Sequence, residues 1–160
     1  MPGFKPKPPR EGEVTLDFTP GSDGPGVHFI GRVASPWGPG DCPRNIAKAR
    51  ESGKGAQITL DPAFEPALTG LKVGQPIIVI YWMDHARRDL LVQNPRHTDG
   101  VRGTFALRSP ARPNPMAQSV VLITSINGAT IGIDAIDCFD GTPIIDIKPW
   151  LPTIDTPPGL

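Results

Sequence analysis

The chain has 160 residues and a mass of 17.1 kDa, room for one domain with a single sizeable core. Lys+Arg and Asp+Glu each number 16, so the formal net charge is +0, which excludes a globally basic nucleic-acid coat and an acidic tail protein. Hydrophobic residues make up 38%, Pro and Gly number 21 and 18, and no apolar run approaches the roughly 18 residues of a membrane span; Met1–Pro6 lacks the apolar stretch of a signal peptide, so a soluble, cytoplasmic, turn-rich domain is expected.

Residues 1–26 hold six Pro and five Gly among scattered charges and read as an extended N-terminal arm, although Glu13–Phe18 alternates and offers an edge strand. The domain proper, residues 27–152, opens on the apolar run Val27–Val33. Further strands are expected over Ala56–Leu60, Pro76–Met83, Val101–Leu107, Ser119–Ile126, Thr130–Ile136 and Pro143–Ile147. Pro76–Met83 is apolar on both faces, as a central, fully buried strand would be. Asn127-Gly128 between two β-rich runs signals a hairpin with a type I′ turn. Two short helices are indicated: Asn45–Ser52, stopped by Gly53, and a segment capped by Asp61-Pro62 and closed by Gly70. Residues 153–160 form a C-terminal tail. Many short strands with few helices predict an all-β, barrel-like single domain with short helical insertions. No G-x-G-x-x-G follows a strand, which argues against a Rossmann nucleotide site.

Charge is uneven. His85–Arg112 carries six Arg against Asp89 and Asp99, whereas Pro113 to the end carries five Asp against Lys148. An arginine-only stretch suits planar anion recognition, unless these arginines pair with the C-terminal aspartates inside one fold. The segment Arg108-Ser109-Pro110-Ala111-Arg112-Pro113-Asn114-Pro115 displays two arginines and an amide on a backbone stiffened by three prolines, which suits a carboxylate or phosphate. Asp137-Cys138-Phe139-Asp140-Gly141-Thr142-Pro143 is a turn between apolar runs. Asp84-His85 ends the apolar strand, where site residues commonly lie. Cys42, Cys138 and the three His lack C-x-x-C or H-x-x-x-H spacing, so no metal is expected.

Taken in order, these segments resemble the TsaA-like family, best described through the TrmO tRNA methyltransferases. Gly31-Arg32-Val33-Ala34-Ser35-Pro36 leads to Pro43-Arg44-Asn45, where the family has P-R-Q. Ile78–Met83 ends in Asp84-His85. Gly103–Pro115 matches G-V-F-A-T-R-S-P-x-R-P-N-P, and Asp137–Pro152 matches D-x-x-D-G-T-P-x-x-D-I-K-P-Y-x-P with Trp150 at the aromatic position. The resemblance covers about residues 27–152. The chain looks like a short form, without the small C-terminal domain of longer members.

The resemblance implies a homodimer that binds S-adenosyl-L-methionine near the subunit interface. It implies methyl transfer to the exocyclic amine nitrogen of threonylcarbamoyl-adenosine beside the anticodon of tRNA. The cofactor contacts it implies are Pro43, Arg44, Asn45, Asp84, His85, Arg108, Gln118, Phe139, Asp140, Gly141 and Thr142. Three departures stand out: Asn45 for Gln, Asp84-His85 for a His-Gln pair, and Met116-Ala117-Gln118 for an apolar triplet. The cofactor presents a carboxylate, an ammonium and an adenine edge; Arg44 or Arg108, Asp140 or Asp84, and the Phe139–Thr142 backbone are complementary in type. No catalytic residue is fixed, but His85 is the near-neutral base of the set and the candidate for removing the acceptor's proton. Arg87, Arg88, Arg96, Arg102 and Arg112 are candidates for a rim that grips the anticodon loop. Two alternatives stay open: methylation of a small-molecule or protein acceptor, and a non-catalytic module that senses the cofactor. Trp37, Met116, Phe139 and Trp150 are the apolar loop residues expected at a subunit contact.

Overall fold

A computed structural model of the chain describes residues 7–159; the first six residues of the expected arm and the last of the expected tail lie outside the described range. The architecture is all-β with short helices, and the described residues fall into two compact units, 27–82 with 118–159 and 7–26 with 83–117.

The first unit is built on a closed barrel. Numbered in chain order, β2 (Gly31–Ala34), β3 (Ala56–Leu60), β4 (Pro76–Trp82), β7 (Met116–Asn127), β8 (Thr130–Ile133) and β9 (Pro143–Pro149) close in the order β2-β3-β8-β7-β4-β9. Period-two alternation sends Val33, Ile58, Leu60, Ile77, Val79, Val121, Ile123, Ile131, Ile133 and Ile144 inward, all below 5% exposure, and they fill the barrel. Antiparallel pairing sets Val33 beside Ile58, Ile58 beside Ile131 and Val79 beside Ile147. β-Branched residues dominate because they fit a pleated, half-buried surface.

Several sequence expectations change. Pro76–Trp82 is buried on one face only, through Ile77, Val79 and Tyr81, while Ile78, Ile80 and Trp82 are half-buried. As a barrel strand it has one interior face, so its apolar run is wider than its core contribution. Val27–Val33 does not form a strand until Gly31. The hairpin joins Asn127 to Thr130 through Gly128 and Ala129, but positive φ is confined to Gly128 (φ 59). A type I′ turn needs two such residues; Gly first, alone, is the pattern of type II′. Asp61 precedes the 3₁₀ helix Pro62–Leu68 without a side-chain cap bond. The helix α1 (Ile46–Glu51), by contrast, is capped as expected: Asn45 Oδ1 accepts from the Lys48 N–H at 2.9 Å, and Gly53 (φ 69) lies just beyond the end. A second short helix, α2, spans Pro152–Asp155.

The second unit holds a three-stranded sheet ordered β1-β5-β6, with β1 (Val14–Thr15), β5 (Leu90–Gln93) and β6 (Arg102–Gly103). The N-terminal arm thus contributes a two-residue edge strand, Val14 opposite Val92 and Thr15 opposite Leu90. β5 was not foreseen, because four residues between Asp89 and Asn94-Pro95 give too short a run to show a period. The expected strand Val101–Leu107 breaks after Gly103 into a 3₁₀ turn, Thr104–Ala106. Thr104 turns inward instead, 3% exposed, and its hydroxyl donates to the Leu90 carbonyl at 2.7 Å. The buried Gln93 amide then donates to Thr104 Oγ1 (3.0 Å) and to the Ala111 carbonyl (2.7 Å), tying this turn to the proline-stiffened loop.

Candidate functional site

Antiparallel order fixes which loops share a barrel end. β2 ends at Ala34, β3 begins at Ala56, β8 ends at Ile133 and β9 begins at Pro143, all at one mouth; the 127–130 hairpin closes the opposite end. The loops 35–45 and 134–142 therefore emerge together, and hydrogen bonds interlock them. The Asp140 N–H donates to the Trp37 carbonyl at 2.8 Å, the Gly141 N–H to Val33 at 2.8 Å, and the Ser35 N–H to Asp140 Oδ1 at 3.0 Å. Ser35 Oγ donates to the Cys138 carbonyl, and the Trp37 indole N–H to the Ile136 carbonyl. Trp37 is only 8% exposed; it is a core plug of this mouth, not the uncovered apolar residue the sequence led us to expect, whereas Met116 is 44% exposed.

This interlocking narrows one chemical expectation. The Phe139–Thr142 backbone was expected to offer hydrogen-bonding edges to a ligand. The N–H groups of Asp140, Gly141 and Thr142 are all spent inside the fold, and the Phe139 carbonyl already accepts from Thr142 N and Oγ1. What the turn presents is the exposed Asp140 carboxylate, whose Oδ1 is fixed by Ser35 while Oδ2 has no hydrogen bond among the described residues. Arg44 is exposed and has no ion pair or hydrogen bond among the described residues. Asn45 spends its oxygen as the α1 cap, leaving its amide hydrogens to donate. Pro43 is half-buried beside it, and Gln118 is exposed on β7.

Sequence reasoning missed a buried polar cluster at the same mouth. The Tyr81 hydroxyl donates to Asp137 Oδ1 at 2.7 Å and lies 2.9 Å from Ser119 Oγ, which is 3.2 Å from the same carboxylate oxygen. Burial, and then the neighbouring Asp137 charge, push the Tyr81 hydroxyl far above its ordinary range, so it stays a donor. The signal was present: a lone Tyr in an apolar strand needs a partner for its hydroxyl. Burial likewise lifts the Cys42 thiol to about 11 and the Cys138 thiol to about 12, with Asp137 adding to both. Both are protonated thiols at neutral pH, and no group of three or more His, Cys, Asp or Glu fit to hold a metal occurs among the described residues.

The second unit carries the remaining predicted residues. Asp84 Oδ1 lies 3.6 Å from His85 Nε2, with Asp84 exposed and His85 half-buried. Arg108 is exposed on the proline-stiffened loop. The arginines differ. Arg87 grips Asp89 with two bonds of 2.7 and 2.8 Å, so its charge is neutralised. Arg88 donates through Nε to the Pro113 carbonyl at 2.6 Å. Among the described residues Arg102 and Arg112 donate only to backbone carbonyls, which orient the guanidinium without cancelling its charge. Arg96 is exposed. Of the C-terminal aspartates, Asp134 pairs with Arg50 and Asp146 with Lys148.

Comparison with known proteins places these loops in a family. A probable S-adenosyl-L-methionine-binding protein of Archaeoglobus fulgidus is 37% identical over 131 residues, covering 79% of this chain and 34% of that relative. A mouse tRNA (adenine(37)-N6)-methyltransferase is 32% identical over 84 residues, 52% of this chain and 20% of the mouse protein. A crystal structure of TrmO from P. aeruginosa superimposes with a TM-score of 0.63 at 27% identity, over 86% of this chain and 59% of that one. The chain thus spans about a third of the archaeal relative and three-fifths of the solved TrmO chain. Residues 33–156, which run from within β2 through the last barrel strand, match the tRNA-methyltransferase O N-terminal domain, and the chain belongs to that family.

Proposed function

We propose that this protein is an S-adenosyl-L-methionine-dependent methyltransferase acting on the exocyclic amine nitrogen of threonylcarbamoyl-adenosine next to the tRNA anticodon. The observation that carries the reading is the family match over residues 33–156, two of whose motif loops, 35–45 and 134–142, emerge together at one barrel mouth. The side chains there suit the cofactor in type. Arg44 would hold its carboxylate, Asp140 Oδ2 its ammonium, and the Asn45 and Gln118 amides its polar edges, while Pro43, Phe139, Gly141 and Thr142 shape the wall. Asp84, His85 and Arg108 join this set through their matched motif positions.

When bound, the cofactor supplies the electrophilic methyl group. The protein's task is to align the acceptor nitrogen with that carbon and to exclude water. His85, next to the Asp84 carboxylate, is assigned the proton that leaves the acceptor amine. The reading also includes a cytoplasmic homodimer with the site near its interface. Light scattering at micromolar concentration tests the dimer, and a mass near the 17.1 kDa of one chain rejects it.

A second reading keeps cofactor binding and changes the outcome: a different acceptor, or a sensor without transfer. The name of the archaeal relative, which claims binding alone, favours it. Mass spectrometry of tRNA nucleosides from a deletion strain separates the two. Loss of methylated threonylcarbamoyl-adenosine supports the methyltransferase; an unchanged profile with retained cofactor binding selects the second.

A further inference from the structure

Phe105 is 84% exposed, the most exposed of the large apolar residues described. It is not a loose side chain on a mobile tip. It occupies the centre of the 3₁₀ turn Thr104–Ala106, and its neighbour Thr104 is locked inward by bonds to Leu90 and Gln93. Gln93 binds the same turn to Ala111 of the proline-stiffened loop. Two buried hydrogen bonds and one part-buried one therefore hold this turn with its aromatic ring in water.

The surroundings state what the ring is for. Between residues 96 and 112 there are four Arg (96, 102, 108, 112) against the single Asp99, with no Lys or Glu. Arg112 Nη1 donates to the Leu107 and Ser109 carbonyls at 3.0 and 2.9 Å, and Arg102 Nη1 to the Asp99 and Val101 carbonyls at 3.1 and 3.0 Å. Their positive charge is thus fixed against the backbone that precedes and follows Phe105 in the chain, and no carboxylate among the described residues pairs with it. A rigid exposed aromatic flanked by oriented, uncompensated arginines matches single-stranded nucleic acid, whose bases stack on the ring while phosphates meet the cations.

Resting on the tRNA reading above, we propose that Phe105 is a stacking platform for an unpaired base of the RNA substrate, with Arg102 and Arg112 holding the adjoining phosphates. The test uses the full chain and a fluorescently labelled anticodon stem-loop RNA, read by anisotropy across a salt series, alongside methyl transfer to tRNA carrying threonylcarbamoyl-adenosine. Phe105→Ala is expected to weaken RNA binding at least about fivefold, the lower end of a base–aromatic stack. Phe105→Trp should retain binding, and Arg102→Ala should reduce the salt slope by about one. Cofactor affinity and particle mass should stay unchanged in all three variants. Wild-type RNA affinity in Phe105→Ala overturns the proposal, and so does a fall in particle mass, which would assign the ring to a subunit contact. A wild-type protein that binds the stem-loop through Phe105 but transfers no methyl group to tRNA refutes the functional reading and leaves the platform standing. Failure of the wild type to bind the stem-loop overturns the platform.

Discussion

Single side chains separate what the barrel mouth needs for folding from what it needs for a ligand. Arg44 is exposed and serves no bond in the described fold, so its replacement should cost the fold little. Arg44→Ala and Arg108→Ala should each lower cofactor affinity in calorimetric titration by about 1.5–3 kcal/mol, the range of a charged hydrogen bond. Unchanged affinity in both variants would remove these residues from the site. Tyr81 is the opposite case. Tyr81→Phe leaves Asp137 Oδ1 with Ser119 as its remaining donor of the pair, and urea unfolding should report a loss of about 1–2 kcal/mol. Cys42 and Cys138 stand beside this cluster as inert thiols. At neutral pH thiol-directed reagents should label the folded protein far more slowly than free cysteine.

At the level of elements, two places make the same kind of claim about backbone. Strands β2 and β3 approach so closely at Gly31 that a Cβ there would strike the Thr59 carbonyl oxygen and lie 2.7 Å from Leu60 Cα. Neither atom can swing aside, since both are backbone. Gly31→Ala should lower stability by about 2 kcal/mol or more, as overpacking against an immovable strand does, and circular dichroism melting would show it. Helix α1 allows a cleaner dissection. Asn45→Ala loses the cap and should cost about 1 kcal/mol, whereas Asn45→Ser keeps an oxygen that can accept from the Lys48 N–H. If the Asn45 amide also contacts the cofactor, Asn45→Ser should melt like the wild type yet bind the cofactor more weakly. Equal binding would leave Asn45 as a cap and nothing more. Arg50 secures the far end of this helix by donating to Asp134 Oδ2 and the Val120 carbonyl, while Asp134 Oδ1 accepts from Leu122 N–H.

For the molecule as a whole, the titrating groups predict alkaline sensitivity. Cys42 and Cys138 have folded-state values of about 11 and 12 against an ordinary 9.0, and Tyr81 is shifted in the same direction. A group whose folded value lies above its unfolded one contributes stability that is full below the unfolded value and is lost as pH rises through the folded one. The melting temperature should therefore fall between about pH 9 and 12. Cys42→Ser should flatten part of that fall, and a profile identical to wild type would deny Cys42 a role in it.

Much of this was legible in the chain before folding. Ala56–Leu60 was read to the residue, because its alternation is uninterrupted and one face is buried. The α1 cap was legible because Asn followed by a helical run and then Gly is a local pattern, settled by bonds within four residues. The motif loops were legible because their residue types repeat a family order. Local chemistry, in short, suffices wherever the interaction partner is close in sequence. It failed where the partner was distant. The inward turn of Thr104 depends on Leu90 and Gln93, more than ten residues away, and those bonds override the alternation that promised a strand. The single buried face of β4 follows from its place in a closed barrel, which no window of seven residues encodes. The Tyr81–Ser119–Asp137 cluster joins three segments up to 56 residues apart. The spent N–H groups of the Phe139–Thr142 turn and the neutralisation of Arg87, but not of Arg102 or Arg112, are likewise tertiary outcomes. Residue type sets which bonds and charges a side chain can offer, whereas only the folded chain decides which of them are already taken.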